Sequence, residues 1–201
     1  MTNGGSERRV ALASMAALAG FAALPLAAQA GVLRPPGHDP FGRVEPALPA
    51  PPLPLLCDDA QRTDLRQILL ARVTAVQLMF TGCSATCPLQ GALFAEVARR
   101  LPGSTTRLLS ISIDPLSDGA QALSAWLARF AATATTWRAA APKPGDVDAL
   151  LDFLRGRADG IDRHTTQVYL FDRQARLTFR TPELPPAGYV VDLLAAVARA
   201  G

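Results

Sequence analysis

One stretch constrains this chain more than any other: Val76 to Phe94, VQLMFTGCSATCPLQGALF. It begins as an apolar run, Val76 to Phe80, of the length of a buried strand, and passes through Thr81-Gly82 to Cys83 and Cys87. A helix is predicted next. Pro88 suits a first helical turn, where its missing N–H costs nothing, and Leu89, Leu93, Val97 and Leu101 recur at helical spacing. The two cysteines therefore belong to a strand-to-helix turn. At this spacing they face one side if the turn is already helical, with Cα atoms near the ~4.4–6.8 Å that a disulfide spans. A helix N-terminus also favours thiolate over thiol, the form that both metal binding and disulfide exchange require.

Two plainer readings compete. The cysteines could be small buried core residues, or form a bridge that only staples the structure. Their place at the carboxyl end of a strand, where open α/β sheets put their chemistry, argues against both. A bridge over so short a loop would also remove little entropy from the unfolded chain.

The sequence has 201 residues, 49% of them hydrophobic, enough for one domain with a sizeable core and not for two. The net charge of +3 is small and the basic residues are scattered singly, which excludes a nucleic-acid-binding face. The N-terminus reads as an export signal over 1–30: Arg8-Arg9, an apolar run Val10 to Leu26, and Ala28-Gln29-Ala30 as a cleavage site. Retained instead of cleaved, residues 10–26 would tether the protein to a membrane, facing the periplasm. Residues 31–52 are expected as a stiff linker, with eight prolines between Arg34 and Pro54 and with His38 as a solvated side chain.

The folded domain is expected over 53–201. Leu53 to Cys57 reads as a strand, with Cys57 a buried inert thiol; Asp64 to Leu70 reads as a short helix before a strand over Arg72 to Phe80. Pro88 to Leu101 is the helix after the cysteines, and Arg107 to Asp114 the next strand. Asp118 stands three residues before Gln121, a capping-box spacing, ahead of a helix whose core face is Leu123, Trp126, Leu127 and Phe130. A short strand over Thr135 to Trp137, a helix over Val147 to Leu154, a hairpin built from TTQVYLFD and RLTFR, and a last helix from Pro185 to Ala200 complete the pattern. That order is the order of an α/β, thioredoxin-like fold, a central mixed sheet with helices on both faces.

In such a fold the loop before the hairpin returns beside the first strand-to-helix turn, bringing His164 to Cys83 and Cys87. Taken alone, a histidine there would be an ordinary loop residue. Two thiolates and an imidazole together suit copper: thiolates select Cu(I), and the imidazole lets the same site hold Cu(II). A structural zinc site would want a fourth ligand, and none is evident.

With these residues in place, the sequence resembles the Sco (SenC) family from about Leu53 to Ala198, through FTGCSATCP, SISIDPLSD and HTTQVYLFD in the family's order. The resemblance implies an exported thioredoxin-like protein that delivers copper to the CuA site of cytochrome c oxidase, or reduces the cysteines of that site. It implies Cys83, Cys87 and His164 as copper ligands, Cys83 and Cys87 as a redox-active pair, and Asp114 as an aspartate near the site. The implied partners are the CuA-bearing oxidase subunit and a thiol reductant. Metal delivery and thiol–disulfide reduction both stay open, because a disulfide between the cysteines abolishes the metal site and reduction restores it. A peroxidase would need an arginine near the attacking thiol, and the turn has none.

Overall fold

In the computed structural model the chain divides into Met1–Leu33 and Arg34–Gly201, and the described residues, 41–101, 106–158 and 164–200, all fall in the second unit. The expected export signal and His38 lie outside them. Strand β4, Val73–Met79, forms the centre: every one of its residues is buried, Thr74 and Gln77 included, as a largely apolar strand covered on both faces requires. Its side chains alternate between two cores. Val73, Ala75 and Met79 join one cluster, Val76 and Leu78 the other.

Strand β5, Thr106–Ser112, pairs in parallel with β4 from Val73↔Thr106 to Met79↔Ser112, and β6, Trp137–Pro142, pairs in parallel with β5. On the other side β7, Val168–Phe171, runs antiparallel to β4, and β8, Arg176–Arg180, returns along β7 as the expected hairpin. Asp172 shapes that turn, its Oδ1 accepting the Gln174 and Arg176 N–H groups at 3.0 and 2.9 Å. Strands β2, Pro54–Cys57, and β3, Arg62–Asp64, extend the sheet beyond β6, and β1, Gly42–Pro49, closes the edge beside β8. The order across the sheet is β1-β8-β7-β4-β5-β6-β2-β3.

Helices α2, Cys87–Arg100, α3, Ala120–Arg129, and α5, Ala187–Ala200, supply one core through Phe94, Val97, Leu123, Trp126, Val190 and Leu194. Helices α1, Leu65–Leu69, and α4, Val147–Leu154, supply the other through Leu65, Leu69, Leu150 and Leu154. Asp64 caps α1 by accepting the Gln67 N–H at 2.9 Å. The central sheet with helices on both faces is the expected architecture.

Three local expectations change, and one strand is added that the sequence does not show. Residues 42–49, expected as linker, form a strand of the sheet; at an edge one row of N–H groups needs no ladder partner, so Pro46 and Pro49 are tolerated, and Val44 buries its side chain. Strand β6 runs to Pro142 instead of ending at Trp137, because its alanines are buried and show no alternation to read. Strand β3 has three residues, too few for a periodic signal. Asp118 does not cap α3. Gly119 takes the N-cap position with no side-chain cap, and the Asp118 carboxylate turns inward.

Candidate metal and thiol centre

The strand β4 ladder ends with the Ile113 N–H on the Met79 carbonyl at 2.9 Å. Beyond it the chain turns through Phe80 to Thr86 and enters α2 at Cys87. The Cys83 N–H bonds the Phe80 carbonyl at 3.2 Å, and the Cys87 N–H points at Cys83 Sγ at 3.4 Å. The first N–H of the helix is therefore aimed at the first sulfur, as a strand-to-helix turn with cysteines at this spacing predicts. Both sulfurs are thiols, Cys83 7% exposed and Cys87 fully buried.

Burial pushes the Cys83 thiol up, but the Cys87 N–H and thiol, the Ala85 N–H and the Thr86 hydroxyl together hold it below its ordinary value. Cys57 behaves oppositely. Burial drives its thiol from 9.0 up to about 11, with the Arg138 charge working against the rise. It lies on β2, three strands from β4 across the sheet. At ~4.8 Å per strand that is a lateral separation of roughly 14 Å, beyond disulfide reach of the pair.

His164 is buried, and its Nδ1 lies 2.9 Å from the Thr165 carbonyl oxygen. A carbonyl only accepts, so Nδ1 carries the proton and a neutral ring has its lone pair on Nε2, the arrangement of a histidine ligand steered by a backbone carbonyl. The ring stands edge-on to Phe80 with centroids 6.2 Å apart. His164 thus reaches the residue whose carbonyl holds Cys83. The structure joins Cys83 to Cys87 and brings His164 to the head of their turn; among the described residues no group of three or more His, Cys, Asp or Glu side chains is already placed to hold a metal ion. Two soft sulfurs and an imidazole Nε2 are donor types that suit copper.

The sequence reading missed Asp118. Its Oδ2 accepts the Thr81 N–H at 2.9 Å and the Ser112 hydroxyl at 2.6 Å, and its Oδ1 accepts the Thr81 hydroxyl. Asp114, which the resemblance places near the site, is half-buried and gives its N–H to the Ser112 hydroxyl at 3.0 Å. A carboxylate before a predicted helix reads first as a cap, and only the fold shows that this one faces the other way. Among the described residues, no helix is long and apolar enough to cross a membrane.

A protein-family model described as SCO1/SenC matches residues 55–198. A search of curated proteins finds no match. Among solved structures, yeast Sco1 with copper bound is similar over 78% of this chain and 91% of its own, at 18% identity and a TM-score of 0.66. Arabidopsis thaliana ScoI with copper bound is similar over 75% of this chain and 98% of its own, at 18% identity and a TM-score of 0.63. BsSco, described as a cytochrome c oxidase assembly protein with a disulfide switch, is similar over 80% and 96%, at 17% identity and a TM-score of 0.65. These likenesses establish the α/β thioredoxin-like fold.

Proposed function

The chain belongs to the SCO1/SenC family, whose model covers most of it, and from that premise we propose that it is a copper-binding protein of cytochrome c oxidase assembly. It takes one copper ion as cargo through Cys83, Cys87 and His164 and hands it to the CuA-bearing subunit of a respiratory oxidase on the periplasmic side, exported by its N-terminal segment. The observation that carries this reading is the pairing of two free cysteines at the head of α2, with the Cys87 N–H 3.4 Å from Cys83 Sγ, and a buried His164 ring edge-on to Phe80, whose carbonyl accepts the Cys83 N–H. Copper bound to the yeast and Arabidopsis relatives supports it. Delivery is then ligand exchange at the more exposed sulfur, Cys83.

A second reading shares the residues. As a thiol–disulfide reductase, the Cys83 thiolate would attack a partner disulfide and release one partner thiol. Cys87 would then displace the second, leaving a Cys83–Cys87 disulfide for a thiol reductant to reopen. The lowered Cys83 thiol and the disulfide switch of BsSco favour it.

Anaerobic copper titration of the reduced protein separates the two. One copper per chain is expected, lost in Cys83→Ala and in Cys87→Ala, with His164→Ala weakening Cu(II) more than Cu(I) because two thiolates alone under-coordinate Cu(II). Undiminished binding in either cysteine variant would refute the ligand assignment. If His164→Ala cells assemble normal oxidase under copper limitation while Cys83→Ala cells do not, the reductase is the function.

A further inference from the structure

The β4–β5 ladder stops at Met79↔Ser112, and past it one buried carboxylate, that of Asp118, binds the start of the turn that carries Cys83 to the end of β5. Asp118 is 1% exposed. Its acceptor capacity goes to Thr81 N–H, Thr81 Oγ1 and Ser112 Oγ, that is, to the head of the thiol turn and to the last residue of β5. No lysine or arginine among the described residues pairs with it. A buried carboxylate without a cation is tolerated only while its hydrogen bonds are made, so the native state is held to the geometry in which Thr81 meets Asp118. With that side chain turned inward, α3 is left without a side-chain cap.

We propose that Asp118 is a positioning residue for the Cys83–Cys87 pair: it clamps Thr81 to the end of β5 and so fixes the separation and orientation at which the two sulfurs close a disulfide or share a metal. From Thr81 the constraint passes two residues along the chain to Cys83, whose N–H is tied back to Phe80 and whose sulfur faces the Cys87 N–H. The inference rests on Cys83 and Cys87 being the working thiols. It concerns Asp118 acting through the turn, without contact to sulfur or metal.

The test is the equilibrium of the metal-free protein with dithiothreitol. Oxidised dithiothreitol takes two electrons and two protons from the Cys83 and Cys87 thiols, giving the protein disulfide and the reduced dithiol; the ratio is read by alkylation and mass. Loosening the turn lowers the effective concentration of one thiol at the other, so Asp118→Asn should cut the disulfide formation constant about tenfold. Thr81→Val, which removes only the hydroxyl bond, should move it the same way by less, and Thr81→Ser should restore it. A role confined to holding up the fold would lower the melting temperature and leave this constant unchanged. An unchanged constant in folded Asp118→Asn overturns the proposal; if that variant does not fold, an unchanged constant in Thr81→Val overturns it. If the wild-type pair forms no disulfide, the redox reading of the site fails on its own account. The clamp is then judged by the alkylation rate of Cys83, expected to rise about tenfold in Asp118→Asn as the turn opens, and a constant rate overturns it.

Discussion

The two kinds of thiol in this chain should separate cleanly under alkylation. Cys57 is 3% exposed and its thiol is pushed by burial from 9.0 to about 11, whereas Cys83 is held below its ordinary value. At pH 8 a pKa of about 11 leaves a thiolate fraction of about 10⁻³, against about 10⁻¹ for a thiol at 9.0, so Cys57 should react roughly a hundredfold more slowly than an unperturbed thiol even before its burial is counted. An iodoacetamide time course at pH 8, mapped by peptide mass, should label Cys83 first and Cys57 only on unfolding. The same shift has a sign in stability. Because the folded value lies above the unfolded one, the contribution is full below about pH 9 and lost as pH rises through about 11. At about 1.4 kcal/mol per unit it amounts to roughly 3 kcal/mol, most of it gone by pH 11. The stability deficit of Cys57→Ala relative to wild type should therefore shrink between pH 8 and pH 11 in urea titrations. Labelling of Cys57 within tenfold of the Cys83 rate in folded protein, or a deficit that does not change with pH, would refute the argument.

Gly91→Ala should destabilise the domain by about 1–2 kcal/mol: a Cβ there runs into the Phe130 ring, which Trp126 and Trp137 hold at 4.9 and 5.8 Å, and the overpacking outweighs the gain of about 1 kcal/mol in helix propensity. A urea midpoint equal to or above wild type would show that the ring gives way. Starting the chain at residue 50 removes β1 and bares the edge of β8, so this truncation should melt below a protein starting at residue 41 and self-associate on size-exclusion chromatography; equal melting and a monomeric profile would mean that β1 contributes nothing.

Most of the sheet was legible because its strands obey simple patterns. The run Val73–Met79 is mostly apolar because both of its faces are covered, and α2 and α5 are periodic enough to read as helices, although the buried face of α2 runs through Cys87, Gln90, Gly91, Phe94 and Val97 and leaves Leu89, expected on it, exposed. What escaped was whatever depends on a partner distant in sequence. Strand β1 reads as linker because its prolines say nothing of an edge position beside β8, about 130 residues later. Asp118 reads as a cap because its true donors, Thr81 and Ser112, become neighbours only when β4 and β5 pair. His164 is expected near the thiols from element order; the structure brings its ring to Phe80, a side-chain detail no spacing rule supplies.

The two cysteines differ in a way that orders any chemistry at the turn. Cys87 is sealed within the core that Phe94 and Met79 share, while Cys83 keeps a small exposed surface and receives the hydrogen bonds that favour its thiolate. On either proposed reading an approaching partner would meet Cys83 first, whether it brought a metal-accepting ligand or a disulfide. Cys87 can enter only as the second sulfur, already within reach because its own N–H holds Cys83 Sγ at 3.4 Å. Disulfide exchange depends on access to the attacking thiolate, and ligand exchange would likewise start at the accessible sulfur. That is why one turn suits both readings, and why the imidazole of His164, which only the metal requires, is the residue whose removal tells them apart.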